Sequence, residues 1–496
     1  MMSRRRTPIE RYSPNRLDRL FVSGIAWTAI ARFSTQFFTW AVFLVVARIL
    51  SPVDIGIIAA ATAVVGIVSL VAEFGVGAAI VAAPSLSDTQ IRQLFGIALL
   101  FGLVGSAVIA AIAIPVAALL KVSEVAGILP VIGISVGLAT INAVPTSLMR
   151  RDLRFKTLSG FEIGKSVVAS GTMLTIALLG GRYWSQVVSE LLATMVMTGL
   201  LLYFTGIRPA RPKRGEMAPF MKMSRDVLVS RLAWYSYTNA DFAIVSRNLG
   251  QAALGDYSMA WTLVTLPNEK IASLIFSVTP AIFARVREDA VEFRRYVLIL
   301  LEFLSLTLIP VSVGLAIVAP DLVPVLLGAK WSGAVPLIQA LAVFAAIRSV
   351  SPISAQILVS MGNAAAARRQ SLIGLAILPC AFYFASRYGA VAVALVWTTV
   401  HPLLVSLQLR EAARAIDLPM SQLLRSIFPG FVATILMVAV TAPSYSYLSR
   451  TDMLPIVRLL VTVVLGAASY ALYLLVVERP RIRRTIDAVR QLRRGL

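Results

Sequence analysis

The chain has 496 residues, 58 % of them hydrophobic and 14 % charged, with a formal net charge of +22, one cysteine and one histidine. The lone Cys380 excludes an intrachain disulfide, and the lone His401, inside an apolar run before Pro402, lacks the partners that a histidine-centred metal site or a Ser/His/Asp triad would need, which nearly excludes both. In a soluble protein this charge would suggest nucleic acid, but here it lies in loops flanking apolar runs, so no nucleic-acid partner is expected.

After a basic N-terminal segment (1–19), fourteen apolar runs follow, centred near residues 34, 67, 103, 135, 169, 195, 236, 268, 304, 345, 375, 400, 431 and 464. Each is long enough for the ~20 apolar residues that cross a bilayer core as a helix. The expected fold is an all-α polytopic membrane protein with about 14 transmembrane helices. The first run is too long for a signal-peptide core and contains Arg32, so a cleaved signal is not expected. Six spans form an N-lobe (20–205), and the Pro- and Arg-rich linker 206–225 leads to a C-lobe of six spans (226–410). Two further spans occupy 411–477. The tail 478–496 places Ile482, Ile486, Val489 and Leu492 at helical spacing among arginines, which reads as an amphipathic helix on the cytoplasmic leaflet.

Orientation follows from the basic residues. The N-terminus and alternate loops (83–93, 148–157, 206–225, 284–296, 361–371, 410–425) together with the tail hold 33 of the 46 Lys/Arg. The seven intervening loops hold one each. Basic loops stay cytoplasmic, so both termini are expected on that side, and their charge meets anionic lipid headgroups.

The two lobes repeat. Residues 32–61 align without gaps on 231–260, at an offset of 199, with Arg32/Arg231, Arg48/Arg247 and Gly56/Gly255 among the identities. Apolar matches between membrane helices are cheap, whereas two arginine pairs and a glycine pair at one offset are not. The repeat predicts two six-helix lobes with pseudo-two-fold symmetry plus two C-terminal helices, a plan used by secondary transporters.

Charges inside spans carry the functional reading, because a Lys, Arg or Asp at a helix centre costs about 2.5–3.5 kcal/mol on insertion scales. Arg32 lies roughly 18 Å into its span, with Gln36 one turn on. Arg231 has Tyr235 and Thr238 on a comparable face, Glu269 and Lys270 follow Pro267, and Arg348 stands beside Ser349 and Ser351. Together these suggest a cationic, hydroxyl-rich cavity between the lobes, with Arg32, Arg231, Lys270 and Arg348 as its cations and Gln36, Tyr235, Asp241 and Glu269 as polar or coupling groups. Asp241 is open between pairing near Arg231, pairing with loop groups, and holding a coupling proton. Other positions have plainer expectations. Lys165 is expected to pair with Glu162 three residues earlier, and Arg48 and Arg247 are expected to be structural. Arg458, like Arg348, fits a cation reaching out from a span end, and Gly133 and Gly137 fit helix packing.

Three segments resemble a known family: ARILSPVDIGIIA (47–59), SLMRRDLRFK (147–156) and NADFAIVSRNLGQAALGDYSMAWTLVTLP (239–267). They are similar to the Wzx-type polysaccharide flippases, in the polysaccharide transporter branch of the multidrug/oligosaccharidyl-lipid/polysaccharide exporter superfamily. Residues 54–55 read Asp-Ile where Asp-Phe is common in that family. The resemblance implies alternating access around a central cavity in a bacterial inner membrane, moving an undecaprenyl-pyrophosphate-linked oligosaccharide to the periplasmic face. It implies no cofactor and no enzymatic step, with proton or sodium coupling and a polysaccharide polymerase and export machinery as partners. The competing readings are a multidrug cation antiporter, a lipid II flippase and a membrane polysaccharide polymerase.

Overall fold

The protein, seen as a computed structural model, is described over residues 35–73, 87–152, 154–211, 231–276, 279–286, 289–348, 351–361 and 363–477. Arg32, the N-terminal segment and the tail 478–496 lie outside these residues, as does most of the linker. Every regular element among the described residues is helical. In chain order these are α1 (Thr35–Ile49), α2 (Pro52–Glu73), α3 (Asp88–Ala111), α4 (Ala113–Leu120), α5 (Glu124–Arg151), α6 (Phe155–Leu178) and α7 (Trp184–Thr205). Then come α8 (231–238), α9 (Ala240–Leu249), α10 (Gln251–Phe276), α11 (Thr279–Val286), α12 (Ala290–Leu326) and α13 (Ala334–Arg348). The last six are α14 (Ser351–Ser360), α15 (Ala364–Ala385), α16 (Ala390–Thr399), α17 (His401–Ala415), α18 (Met420–Leu448) and α19 (Pro455–Val476).

Among the described residues, ten segments are long and apolar enough to cross a bilayer, and two shorter apolar helices, α1 and α13, accompany them. The expected spans near 236 and 268 are the polar ones. The first is broken between α8 and α9, and the second carries Asp256, Glu269 and Lys270. Pro267 lies inside α10, which continues past it.

The helices gather into two compact units. Unit 1 takes the described residues of Met1–Leu50, Val65–Ala118 and Ser123–Leu228, and unit 2 those of Ser51–Val64, Leu119–Val122 and Val229–Leu496. In unit 1, α3 and α5 touch backbone to backbone. A Cβ on Gly102 would meet the Gly137 carbonyl at 2.7 Å, and Ser106 Oγ donates to the Gly133 carbonyl at 2.7 Å. Gly133 and Gly137 therefore serve helix packing, as their spacing suggested. In unit 2, the 37-residue α12 packs on α18, where a Cβ on Gly430 would come within 2.7 Å of the Ser305 carbonyl. Phe293, Leu301, Leu304, Ile353, Ile357 and Leu423 close the core around them.

Two charged pairs differ from expectation. Arg458 does not reach out from a span end; its guanidinium forms a two-pronged pair with Asp321 of α12, with Nε donating to Oδ2 at 2.6 Å. Both groups are well buried (16 % and 3 % exposed), so α19 is fastened to α12 by a charge-assisted fork. Lys165 pairs with Glu190 on α7 rather than with Glu162 on its own helix. The rotation of α6 against α7 places that carboxylate closer than the local one.

The segment 47–59 owes its form to capping. Ser51 Oγ accepts from the Asp54 N–H at 3.2 Å, and Asp54 Oδ2 accepts from the Ser51 N–H at 3.0 Å and its hydroxyl at 2.6 Å. With Pro52 at the first helical position, this is a capping box that starts α2 sharply. One turn later, within unit 2, the repeat becomes visible as contact. A Cβ on Gly56 would collide with the Gln251 carbonyl, and one on Gly255 with the Pro52 carbonyl. Residues 52 and 251, like 56 and 255, are equivalent at the offset of 199, so each helix presents the same glycine to the same position of its counterpart.

Leucine at either glycine should lower thermal stability in detergent, since overpacking typically costs about 1–3 kcal/mol. The double variant should lose less than the sum of the singles, because both act on one crossing. A melting series on the four proteins measures this, and strictly additive losses would mean that the two glycines do not share a contact.

Candidate functional site

The segment 239–267 builds a polar–aromatic cluster inside unit 2. The α8–α9 span breaks at Asn239, whose backbone N–H and Nδ2 both donate to the Tyr235 carbonyl, at 3.1 and 2.9 Å, so a side chain reinforces the last ladder bond of α8. Asp241 then stands in the first turn of α9, where peptide dipoles favour an anion. It is completely buried. Oδ2 accepts from the Tyr257 hydroxyl at 2.6 Å and from Trp397 Nε1 at 2.8 Å, and Oδ1 accepts from the Phe242 N–H at 3.0 Å. Trp397 Nε1 also lies 3.2 Å from the Tyr257 hydroxyl. Asp241 thus pairs with neutral donors of α10 and α16, and neither the Arg231 side nor a loop group is among them.

The rest of the motif fixes backbone. Arg247 donates to the Leu119 carbonyl, and Asn248 Nδ2 to Ser386 Oγ at 2.8 Å. Gly250, at φ +86°, turns the chain from α9 into α10. Arg247 is therefore structural, as expected.

Aromatic rings stack outward from Asp241. Trp261 lies 5.4 Å from both Phe344 and Trp397, and Phe344 lies 4.8 Å from Trp397. His401, four residues after Trp397, is 5.3 Å from both the Trp397 and Phe344 rings, and its Nδ1 is buried without a hydrogen bond. Arg348 ends α13 over this layer, its guanidinium 5.9 Å from the Trp261 ring and 5.8 Å from the Phe344 ring. It interacts electrostatically with Glu269, Tyr237 and His401. Asn268 Nδ2 donates to the Ala345 carbonyl at 3.1 Å, tying the polar stretch of α10 to the last turn of α13.

The predicted site residues separate into groups. Arg348 and Glu269 come together on this cluster, with Lys270, exposed, next in the chain. Arg231 is exposed at the start of α8, and the Tyr235 hydroxyl donates to the Thr62 carbonyl at 3.3 Å. Gln36 is half-buried on α1 in unit 1. Tyr237, Tyr257, Trp261, Phe344 and Trp397 were not anticipated. The Trp397/His401 spacing of one helical turn was the available sign.

Unit 2 also holds a cavity of about 760 Å³ among α12, α18 and α19, lined by Phe303, Pro310, Gly314, Met437, Gly466 and Tyr470. Tyr470 turns its hydroxyl onto the Leu306 carbonyl. A wall this apolar suits hydrocarbon and offers nothing to a charged group.

A family described as polysaccharide biosynthesis protein matches residues 45–336, more than half of the chain, including both glycines of the repeat crossing, Gly56 and Gly255. The chain belongs to that family. Teichuronic acid biosynthesis protein TuaB of Bacillus subtilis (strain 168) is 24 % identical over 473 residues, covering 94 % of this chain and 97 % of TuaB. Lipopolysaccharide biosynthesis protein WzxC of Escherichia coli (strain K12) is 22 % identical over 336 residues, covering 66 % of this chain and 68 % of WzxC. Among solved structures, lipid II flippase MurJ in an inward closed conformation superposes with a TM-score of 0.72 at 13 % identity, covering 92 % of this chain and 99 % of that one. That likeness speaks to the fold. The resemblance to Wzx-type flippases is borne out, and this member of the polysaccharide biosynthesis family is a multi-pass bacterial membrane protein.

Within the family motif, Asp241 should be replaceable by Asn but not by Ala. Alanine leaves the Tyr257 hydroxyl and the Phe242 N–H without their acceptor and the Trp397 N–H with the Tyr257 oxygen alone, at ~1–3 kcal/mol for each orphaned group, whereas the Asn oxygen can still accept from Tyr257 and Trp397. Thermal unfolding in detergent should therefore show a large drop for Asp241→Ala and a small one for Asp241→Asn. Equal drops would show that the network does not hold the site together.

Proposed function

We propose that the protein moves an oligosaccharide carried on undecaprenyl pyrophosphate across the bacterial inner membrane, from the cytoplasmic to the periplasmic leaflet. Both termini lie in the cytoplasm, and the product feeds polysaccharide polymerisation and export. The observation that carries this reading is Arg348, a guanidinium at the end of a buried helix, over aromatic rings and opposite Glu269. A guanidinium fork matches two phosphate oxygens of a pyrophosphate, and an aromatic floor lowers the polarity around it. Lys270 and Arg231 add exposed positive charge in the same unit. Arg32, the repeat partner of Arg231, is proposed as a further contact.

The proposed cycle exchanges anions. Without cargo, Glu269 balances Arg348; an arriving pyrophosphate displaces it, and the released carboxylate takes a coupling proton or sodium ion. Asp241 is a second proton-holding candidate, since its partners carry no charge of their own. The hydrocarbon chain of the cargo stays in the bilayer. Against an organic-cation cavity stands the arginine over the ring layer, since a guanidinium there repels a cationic cargo even with Asp241 and Glu269 nearby.

Translocation in proteoliposomes tests this, with undecaprenyl-pyrophosphate glycan in one leaflet and an imposed ion gradient. Arg348→Ala should slow transbilayer movement roughly tenfold or more, the loss expected for one charge-assisted contact, with Arg348→Lys in between. Arg231→Ala and Lys270→Ala should have smaller effects. Ethidium efflux by the wild type with no movement of any glycan lipid would favour the multidrug antiporter instead, and movement of lipid II alone would favour the lipid II flippase.

A further inference from the structure

The Lys165–Glu190 pair in unit 1 has no part in the site just described. Lys165 Nζ donates to Glu190 Oε1 at 2.8 Å, and Thr194 Oγ1 donates to the same oxygen at 3.1 Å. Lys165 is ten residues into α6, roughly 15 Å from its start and about half-way through a hydrocarbon core of ~30 Å. Yet the two side chains are 35 % and 55 % exposed. Beside them the Thr39 and Ser166 hydroxyls bond at 2.8 Å, linking α1 to α6. Along α6 a Cβ added to Gly160, Gly164 or Gly171 would meet nothing within 4 Å, so the backbone there borders open space.

Charges at this depth face hydrocarbon only at heavy cost, and ionisable groups in spans almost always line a bundle interior or a wet cavity. The exposure of this pair therefore points to polar surroundings. The chemistry of the surface is not that of an anion site. Lys165 is already neutralised, and Glu190 would repel a phosphate. An ammonium beside a carboxylate, with hydroxyls alongside, offers donors and acceptors at sugar-hydroxyl spacing, and glycines let a sugar ring approach the backbone. Resting on the flippase reading above, we propose that Lys165, Glu190, Ser166 and Thr39 form a second cargo-contact surface, in unit 1, that takes the uncharged hydroxyl-rich glycan of the lipid-linked substrate.

The test separates this surface from the pyrophosphate site. In a Cys380→Ser protein, Gly164→Cys adds a thiol where a side chain has room, and a charged, membrane-impermeant methanethiosulfonate reagent should modify it. Modification should slow with undecaprenyl pyrophosphate bearing a glucose-, galactose- or N-acetylglucosamine-first trisaccharide, and not with bare undecaprenyl pyrophosphate. The double variant Lys165→Ala/Glu190→Ala, which leaves no orphan charge, should bind the best of those glycan lipids about tenfold more weakly. Its affinity for the bare lipid and its melting temperature should stay unchanged. An unreactive thiol, an equal loss for both lipids, or a fall in melting temperature with affinities intact would each overturn the proposal. A wild type that binds neither lipid would overturn the flippase reading and the glycan assignment together. An unreactive Gly164→Cys thiol, with the wild type binding the glycan lipid, would overturn this inference alone.

Discussion

In a membrane span, a polar group has to find its answer inside the protein, and the described helices are arranged around that demand. Four solutions coexist. Arg458 and Asp321 neutralise each other through a fork that joins α19 to α12. Asp241 is answered by neutral donors from α10 and α16, so a carboxyl holds three elements together. Arg348 rests over rings, with Glu269 opposite. Lys165 and Glu190 pair across α6 and α7 while still exposed. The first two hold their charge in close hydrogen-bonded partnerships, whereas Arg348 makes no close ion pair among the described residues and Lys165 and Glu190 stay exposed.

The two repeat-related segments show why their residues occur together. Ser51, Pro52 and Asp54 set the exact start of α2, and that start determines where Gly56 falls. Asn239 breaks one helix, Asp241 fastens the next, and Gly250 turns the chain so that Gly255 meets the first repeat. A capping box and a helix break are different local devices, yet each delivers a glycine to the same crossing. Side chains there would hold the backbones apart, and no rotamer could relieve a clash with a carbonyl.

Much of this was legible in the chain because hydropathy and loop charge are one-dimensional signals. The apolar runs, the small-residue packing of Gly133 and Gly137, and the offset that relates Gly56 to Gly255 need no knowledge of helix rotation. Partnerships do need it. Glu162 is three residues from Lys165, yet the bond runs to Glu190, because the facing of α6 and α7 is a tertiary outcome. Arg458 reads as a span-end cation until α12 supplies Asp321 from 137 positions earlier. The ring layer under Arg348 was illegible for the same reason: Trp261, Phe344 and Trp397 come from three separate helices, and aromatic residues in apolar runs look alike wherever they point.

The contrast between Arg458 and Arg348 bears on how a transporter can hold an anion and still release it. A carrier gains nothing from a cation already clamped in a bidentate ion pair, because cargo would have to break that pair and leave Asp321 buried and alone. Arg348 has no salt bridge among the described residues; its neighbours are π faces and a more distant carboxylate. An anion can therefore form its fork there without stripping a close partner from the guanidinium. Glu269, exposed on the polar stretch of α10, competes for the same charge. In the proposed cycle that competition would keep occupancy reversible, since conduction needs binding strong enough to admit the ligand and weak enough to let it leave. On the proposed reading, Arg348 is a cation suited to transient contact, and Arg458 one suited to permanence.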